Sequence, residues 1–193
     1  MARINNKLFY TSAIKQHGYS AKGLNWISQE TQELRFDVLL EFLPDDLSSF
    51  CLGDAGCGFG DIYNYMQTHS KVPKEYLGVD SLHEMCLITQ EKTASSTLLA
   101  DICKDKLPTK DYYLCSGALN ILTSFETHQF ISNCYKSSKY GFIFNILYGD
   151  KKSDTYNYIT KEKIQNIAKE LNVKKIVLKD DYLENDITVG FYR

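Results

Sequence analysis

A short apolar strand that runs directly into a glycine-rich loop constrains this chain more than any other feature. The run Phe50-Cys51-Leu52 is followed by the segment Asp54-Ala-Gly-Cys-Gly-Phe-Gly60. Glycines at alternate positions let the backbone turn tightly and bring its N–H groups close to a ligand at a helix N-terminus. A dinucleotide fingerprint needs its third glycine one residue later, where Asp61 stands. The loop therefore predicts a nucleotide-type cofactor that carries no pyrophosphate.

Length and composition predict one domain that needs no disulfide bonds. The chain has 193 residues, 44% of them hydrophobic, and a formal net charge of -2. Such a chain can bury a substantial core, and its charge provides no basic field for nucleic-acid binding. The six cysteines form no C-x-x-C pair and no compact Cys/His cluster of zinc spacing. We therefore expect reduced, mostly buried thiols in a cytoplasmic protein, with no metal site.

No segment predicts insertion into a membrane. Residues 1–10 contain neither a long apolar core nor a small-residue cleavage site, so they are not expected to be a signal peptide. Nowhere do 18 apolar residues run together. Because no repeat or low-complexity linker divides the chain, residues 1–193 are expected to form a single domain. In this domain residues 1–45 would be a helical cap and residues 46–193 the cofactor-binding core.

Helix and strand patterns alternate along the core. Helical spacing of apolar residues predicts helices over Glu30–Leu43, after Phe59, and around Ile164 and Leu171, and S/T-x-x-E capping boxes at Ser81 and Thr123 predict two more. Buried apolar runs predict seven strands, over Phe50–Gly53, Tyr76–Val79, Thr97–Ala100, Tyr112–Ser116, Tyr140–Tyr148, Lys174–Leu178 and Ile187–Tyr192. This alternation indicates a largely parallel sheet with helices on both faces, and the helix-free connection before the last strand indicates one antiparallel strand.

Polar residues close four of these strands, namely Asp54, Asp80, Asp101 and Ser116. The carboxyl ends of parallel strands share one edge of the sheet, where ligands bind near the switch point beside the first strand. An acid after the second strand can accept hydrogen bonds from both ribose hydroxyls, and one after the third can receive an adenine amine. An anionic loop beside the glycines suits a cationic ligand without phosphate.

These motifs resemble those of the class I S-adenosylmethionine-dependent methyltransferases, over roughly Phe50–Arg193. The segment Leu52–Gly60 is similar to the family's first motif and Gly78-Val-Asp80 to its second. Leu99-Ala-Asp-Ile102 looks like the adenine-contacting segment, and Asp111–Gly117 looks like the fourth motif. Gly53 departs from the pattern, because the family usually carries a larger apolar residue there. The resemblance implies a three-layer, Rossmann-like α/β fold whose seven-stranded, mostly parallel sheet has its last strand antiparallel, with S-adenosyl-L-methionine as cofactor.

The resemblance also implies which residues contact the cofactor. They are Asp54, Gly56, Cys57, Gly58, Asp80, Ser81, Leu82, Asp101, Ile102 and Ser116. Asp80 and Asp101 could instead be helix-cap or turn residues, and the thiols of Cys57 and Cys115 are interpreted as structural. No catalytic base is assigned, since in-line positioning of nucleophile, methyl and sulfur can supply about 7 to 11 kcal/mol.

Two segments are expected to face the methyl acceptor. The aromatic segment before the first strand would lie above the pocket as a lid, or alternatively pack on the core as a surface helix. The loop from Tyr148 to Tyr158 follows the fifth strand and would also overlook the crevice. Arg35 could reach the methionine carboxylate or remain solvated, whereas His83 and His128 are expected to be exposed. The substrate-side candidates are Tyr10, His17, Tyr19, Trp26, Arg35, Asn120 and Tyr148.

The sequence thus predicts a methyltransferase with an unidentified acceptor, for which a small molecule is expected and a group on a macromolecule is the alternative. It contains no Asp/Asn-Pro-Pro-aromatic motif, which argues against amino methylation of adenine or glutamine. Another enzyme could use the same pocket, such as an aminopropyl transferase or a nucleotide-dependent oxidoreductase, although the missing G-x-G-x-x-G argues against the latter. Because no acid–base pair is evident, a non-catalytic binding or interaction module is the alternative from a different class.

Overall fold

The computed structural model describes residues 4–193, which form three layers around one sheet. Residues 1–3, the start of the predicted cap segment, lie outside the described residues. The helices are α1 (Asn6–His17), α2 (Gln29–Glu41), α3 (Asp61–Thr68), α4 (His83–Thr93), α5 (Ser124–Ser137) and α6 (Lys161–Glu170). The strands are β1 (Cys51–Ala55), β2 (Glu75–Asp80), β3 (Ser96–Leu99), β4 (Lys110–Ser116), β5 (Ser138–Leu147), β6 (Lys175–Lys179) and β7 (Asp186–Tyr192). Short 3-10 turns cover Ala21–Leu24 and Ala118–Ile121.

The seven strands are ordered β3-β2-β1-β4-β5-β7-β6. The first five pair in parallel, and β7 lies between β5 and β6 and runs antiparallel to both. This arrangement confirms the predicted fold class, including the reversed last strand. The strand order changes direction between β1 and β4, so a crevice opens at the carboxyl ends of these two strands.

Alternate residues of the central strands are buried in two separate cores. Leu52, Leu114 and Ile143 pack on one face of the sheet with side chains from α2 and α3. Phe142 and Phe144 pack on the opposite face with side chains from α5 and α6. Each fully buried side chain of this size contributes roughly 1.5–3 kcal/mol. The nearly continuous apolar run of β5 therefore reflects a strand covered on both faces, as predicted.

Gly53 makes room for an aromatic ring from the neighbouring strand. It pairs with Tyr113 of β4, and a Cβ on Gly53 would lie 2.3 Å from Cε1 of that residue. The Tyr113 ring is fully buried, and its hydroxyl donates to the carbonyl oxygen of Pro108 at 2.7 Å. An aromatic side chain that covers a strand glycine replaces the missing apolar contacts. This packing accounts for the glycine at a position where the resembled family usually has a larger residue.

The two predicted capping boxes have different outcomes. The box at Thr123 is confirmed, because the Thr123 hydroxyl accepts from the N–H of Glu126 and the Glu126 carboxylate accepts from the N–H of Thr123. The box at Ser81 is wrong, because α4 begins one residue later, with Leu82 as an N-cap that makes no side-chain bond. The buried carboxylate of Asp80 takes the N–H of Leu82 instead, at 2.9 Å.

None of the six cysteines forms a disulfide bond. Within residues 4–193, no helix has both the length and the apolar character to cross a lipid bilayer. The same residues contain no group of three or more His, Cys, Asp or Glu side chains arranged to hold a metal ion.

Candidate functional site

The glycine loop joins β1 to α3 in a conformation that requires its glycines. Gly56, Gly58 and Gly60 all have positive φ, at 80°, 54° and 74°. A Cβ on Gly56 would lie 2.5 Å from Cβ of Ala118, so this position tolerates no side chain. The N–H groups of Gly56 and Cys57 donate to the carbonyl oxygen of Val79 at 2.7 and 3.1 Å. The loop is thereby fixed against the carboxyl end of β2.

Asp80 ends β2 and connects the glycine loop to the start of α4. One carboxylate oxygen accepts from the N–H of Gly58 at 3.1 Å, and the other accepts from the N–H of Leu82 at 2.9 Å. The side chain is buried, and burial raises the pKa of Asp80 to about 6 although the backbone hydrogen bonds act to lower it. A buried carboxyl with this pKa is poised to gain stability from a ligand that brings donors or positive charge.

Asp54 lies in β1 beneath the glycine loop and is bound to a tyrosine of β2. The Tyr76 hydroxyl donates to its carboxylate at 2.5 Å, and the Tyr63 ring stacks on Tyr76 with centroids 4.4 Å apart. Burial raises the pKa of Asp54 to about 7; the bond from Tyr76 opposes the shift, and the nearby Asp80 and Asp61 add to it. The carboxylates of Asp54 and Asp80 thus form an electronegative floor under the loop.

Two further carboxylates stand at the edges of the same cleft. Asp61 accepts from the side-chain amide of Gln32 at 3.1 Å, and its carboxylate lies 3.6 Å from the ammonium of Lys92. Asp101 accepts from the N–H of Cys103 at 3.1 Å and pairs with Lys104 at 2.6 Å. Asp101 is therefore a turn-stabilising residue, as the alternative interpretation of the sequence expected, and it also lines the cleft.

An asparagine that sequence reasoning missed holds the end of β4. Asn145, a buried residue of β5, accepts from the N–H of Gly117 at 3.0 Å and directs its amide nitrogen to the Ser116 hydroxyl at 3.3 Å. Buried side-chain amides are stable only when their hydrogen bonds are satisfied. The sequence signal was present, since Asn145 is the one polar side chain inside the apolar run Phe142–Leu147.

Trp26 covers the end of β4 from the N-terminal segment. A Cβ on Gly117 would lie 2.6 Å from Cη2 of Trp26, so the benzo edge of the indole fits where Gly117 has no side chain. The Arg35 guanidinium lies 4.9 Å from the indole centroid. Arg35 is in turn held by Asp186, with Nε and Nη2 at 2.8 and 2.5 Å from one carboxylate oxygen. The Tyr182 hydroxyl donates to the other oxygen of Asp186.

A cleft lies at the carboxyl ends of β1, β2 and β4. Its volume is about 1130 Å³, which includes the solvent-filled space at its open mouth. All the residues predicted to contact the cofactor line it: Asp54, Gly56, Cys57, Gly58, Asp80, Ser81, Leu82, Asp101, Ile102 and Ser116. Asn6, Phe9, Asn25, Gln32 and Tyr156 line it as well and were not predicted. Among residues 4–193, the lining includes four aspartates and no lysine, arginine or histidine.

The substrate-side candidates divide into two groups. Tyr10, Trp26 and Asn120 line the cleft. His17 and Tyr19 do not, because both are exposed and Tyr19 packs edge-on against Phe59 on the outer side of the loop. Arg35 and Tyr148 lie outside it as well, because Arg35 is bound to Asp186 and Tyr148 is held by the carbonyl of Asn185 and covered by Lys161.

No histidine among residues 4–193 lines the cleft, and the thiols of Cys57 and Cys115 are buried. Burial raises the pKa of the Cys57 and Cys115 thiols, which therefore stay protonated and behave as core residues. His83 is exposed, and His128 of α5 pairs with Glu170 of α6 at 2.8 Å, away from the cleft. Burial beside Asp80 also raises the pKa of Tyr10, which keeps its hydroxyl a neutral hydrogen-bond donor.

The strand order, the reversed β7 and the glycine loop above β1 define the Rossmann-like fold of the class I S-adenosylmethionine-dependent methyltransferases. Solved structures that share it include a SAM-dependent methyltransferase from Leishmania major, with a TM-score of 0.73 at 14% identity over 96% of this chain and 83% of that one. Human N-acetylserotonin methyltransferase in complex with SAM has a TM-score of 0.71 at 15% identity, covering 98% of this chain and 60% of that one.

Magnesium protoporphyrin IX methyltransferase from Synechocystis with bound SAH also matches, with a TM-score of 0.69 at 14% identity over 84% of this chain and 83% of that one. No protein-family model matches the sequence, and no curated protein matches it. At identities this low the likeness establishes the fold. The function has to be argued from the cleft itself.

Proposed function

We propose that this protein is an S-adenosylmethionine-dependent methyltransferase that acts on a small molecule. The charge of the cleft carries the proposal: it is lined by Asp54, Asp61, Asp80 and Asp101 and, within residues 4–193, by no cationic side chain. A dinucleotide would bring phosphates into this negative field, whereas a sulfonium with an α-ammonium group brings positive charge. The partly buried carboxylates interact with such a ligand more strongly than exposed ones would, because they are less screened.

Each part of the cleft suits one part of this cofactor. Asp80 stands at the end of β2, where a carboxylate can accept the ribose hydroxyls, while Ile102 offers an apolar wall for the adenine. Asp54 and Asp61, which flank the glycine loop in sequence, line the cleft and complement the ammonium group. When bound, the cofactor supplies a methyl group on a positively charged sulfur. The protein's own contribution is to orient that methyl at the end of β4 and to exclude water with Trp26 and Tyr10.

The structural neighbours support the small-molecule class. Two of them are named for methylation of magnesium protoporphyrin IX and N-acetylserotonin, which are both small molecules. The cleft fits a reaction that relies on positioning, because none of the four histidines lines it and Tyr10 stays protonated. The acceptor proton would leave to water. We also propose a cytoplasmic location, which is supported by six cysteines that form no disulfide bond.

We further propose that the chain is one domain in which residues 1–45 cap a core of residues 46–193. Side chains from both halves of the cap line the cleft, including Tyr10 from α1 and Gln32 from α2. The two helices differ in their other contacts. The α2 residues Phe36 and Leu39 are buried in the core of the sheet, whereas α1 contributes only Ala13 as a fully buried side chain. Any opening of the cap should therefore involve α1 and the Ala21–Leu24 turn.

Calorimetric titration with S-adenosylmethionine and S-adenosylhomocysteine tests the proposal directly. We expect both to bind, and we expect Asp80→Ala to weaken binding by about 10- to 100-fold, the loss that accompanies a charged hydrogen-bonding partner. A folded protein that binds neither compound, or that binds them as well after Asp80→Ala, would show that the proposal is wrong. Transfer of a labelled methyl group to the low-molecular-weight fraction of a cell extract then tests catalysis.

A non-catalytic binding module is the second candidate, favoured by the absence of an acid–base pair from the cleft lining within the described residues. It predicts cofactor binding without methyl transfer to any fraction of the extract. An aminopropyl transferase, the other candidate enzyme, predicts that decarboxylated S-adenosylmethionine is consumed in place of the methyl donor. Mass spectrometry of the cofactor distinguishes the three, because methyl transfer leaves S-adenosylhomocysteine, aminopropyl transfer leaves methylthioadenosine, and binding alone leaves the cofactor unchanged.

A further inference from the structure

We propose that the acceptor is an uncharged, flat molecule that stacks on the open face of Trp26. This inference rests on the proposed function and specifies its substrate class. It depends on how the indole is held, which charges surround it and which polar groups face it.

The indole of Trp26 has one face left for a ligand. Its benzo edge, at Cζ2 and Cη2, meets Gly117, and one of its faces is covered by the Arg35 guanidinium at 4.9 Å. Trp26 lines the cleft and is only partly buried. Because Trp26 lines the cleft and its edge meets Gly117, we infer that the face opposite Arg35 is the one a ligand reaches at the end of β4, where a methyl group would be delivered. An aromatic platform fixed from behind favours a ligand with a π face of its own.

The platform is rigid because Arg35 cannot leave it easily. Arg35 is nearly buried and is bound to the buried carboxylate of Asp186, and it also donates to the carbonyl oxygen of Thr31 at 3.0 Å. Tyr182 completes the set by donating to Asp186. Breaking a buried pair of this kind leaves an uncompensated charge, so the indole is supported by a group with one stable position.

The charges at the cleft exclude an acid as the acceptor. Four aspartates line it, and no lysine, arginine or histidine among residues 4–193 does; the two lysines beside these aspartates, Lys92 and Lys104, are already paired with Asp61 and Asp101. A cationic acceptor gains less from the aspartates once the positively charged cofactor lies against them, and a second cation on the indole would face the Arg35 guanidinium across the ring. An uncharged acceptor meets neither penalty.

Amide and hydroxyl groups around the indole supply neutral recognition. The Asn120 side-chain oxygen accepts from the N–H of Leu147 at 3.0 Å, which leaves its amide N–H groups as the donors available to the cleft. Tyr156 lines the cleft and is about a third exposed, so its ring can move onto a ligand. Asn25 adjoins Trp26 and also lines the cleft. Such groups fix the orientation of an uncharged ring by hydrogen bonds.

Three probes of one size and different charge test the inference: benzamide, benzoate and benzylammonium. Trp26 is the only tryptophan in the chain, so its indole N–H gives a single NMR signal that reports on this residue alone. With the protein saturated with S-adenosylhomocysteine, we expect benzamide to shift this signal with a dissociation constant at least about tenfold below those of the other two probes, a difference of about 1.4 kcal/mol. Trp26→Ala should abolish the preference in a binding assay that observes the probe.

Matched variants separate stacking from folding. Trp26→Phe keeps an aromatic platform and should retain benzamide binding within a few-fold, while Phe125→Ala removes an exposed aromatic ring on α5 and should change nothing. Benzoate or benzylammonium binding as tightly as benzamide, or no binding of benzamide at about 20 mM, where a single ring is expected to bind, would overturn the inference. Because S-adenosylhomocysteine binding is measured first, its loss would instead count against the proposed function.

Discussion

Tyr76 donates its hydroxyl hydrogen to the Asp54 carboxylate across 2.5 Å, between two parallel strands that carry the glycine loop and the next acid. Both side chains are buried, and among residues 4–193 the Tyr76 hydroxyl is the one side-chain donor to Asp54. One neutral donor compensates a buried carboxylate incompletely, so the site is built to be completed by a ligand. The consequence is a cleft whose ionisation state depends on whether the cofactor is bound.

Cofactor affinity should therefore rise with pH. In the free protein the pKa of Asp80 is about 6 and that of Asp54 about 7, so both carboxyls hold protons at lower pH and have to release them before they can attract a cation. We expect the affinity for S-adenosylmethionine to increase from about pH 5 to about pH 8, with protons released on binding. Calorimetry in two buffers of different ionisation enthalpy measures this release.

Asp54→Asn gives the control, because its side-chain oxygen still accepts from Tyr76 but no longer titrates. Its cofactor affinity should be weaker and depend less on pH.

The stability of the free protein should change with pH in the opposite direction from cofactor affinity. A carboxyl whose pKa is raised from 3.8 to about 7 on folding binds more protons when folded, so its stabilising contribution is present at low pH and is lost as the pH rises to about 7. As the pH rises from about 3.8 to about 7, the natural protein loses this contribution and Asp54→Asn does not, so the variant should become more stable relative to the natural protein in urea denaturation.

Asp80 and Asp101 should differ in their importance although both follow a strand. Asp80→Asn loses one of two charge-assisted bonds to backbone N–H groups, so S-adenosylhomocysteine affinity should fall by about 10- to 100-fold. The Asp101 carboxylate is already paired with Lys104 and the N–H of Cys103. Asp101→Asn should cost less than about fivefold, in line with a partly exposed pair. Equal losses in the two variants would contradict this ranking.

The outcome for these acids shows what could be predicted from the sequence. Asp54, Asp80 and Ser116 lie at the carboxyl ends of buried strands. Because parallel strands end at one edge of the sheet, the strand pattern alone was enough to predict that the three side chains line the same cleft. Asp101 was placed at the cleft by the same rule, but its bond to Lys104 depends on a turn that no periodicity encodes. The strand pattern along the chain thus predicts where a side chain lies in the fold better than it predicts the hydrogen-bond partners of that side chain.

The acceptor side was predicted less well because its contacts are distant in sequence. Arg35 has its partner in Asp186, 151 residues further along the chain, and this pairing decides that Arg35 supports Trp26 instead of entering the cleft. The loop after β5 returns to pair Ile159 with Tyr148, which presents Tyr156 to the cleft in place of Tyr148. The way this loop folds back decides which of its tyrosines faces the cleft, and a single sequence does not specify the path of the loop.

Gly117→Ala should displace Trp26. Gly117 has φ of 81°, and an added Cβ would lie 2.6 Å from Cη2 of the indole. We expect a loss of about 1–3 kcal/mol from backbone strain and overpacking. The Trp26 emission should shift to longer wavelength as the indole leaves its contact. Gly149→Ala is the control, because its φ of 128° is equally unsuited to alanine while the nearest atom is 4.0 Å away. It should lower stability without changing the emission.

The Arg35–Asp186 pair should contribute far more to stability than a surface pair of similar length. Arg35→Met leaves the buried Asp186 carboxylate uncompensated, which should cost about 3–5 kcal/mol and raise the pKa of that carboxyl further. Lys179 and Glu41 lie 2.6 Å apart but are half-exposed, so Lys179→Met should have little effect on stability. Urea denaturation measures both, and similar losses would contradict a structural role for Arg35.

Gly53 and Tyr113 should behave as a coupled pair. Gly53→Ala puts a Cβ 2.3 Å from the Tyr113 ring in the middle of β1, and overpacking of this kind should cost about 1–3 kcal/mol. Tyr113→Leu alone should cost about as much, because it removes a buried ring and its bond to Pro108.

In the double variant the new methyl group occupies space that the ring has vacated, so the combined loss should be smaller than the sum by about 1 kcal/mol or more. Urea denaturation of all four proteins completes the cycle. Strictly additive losses would mean that the ring does not fill the space above Gly53.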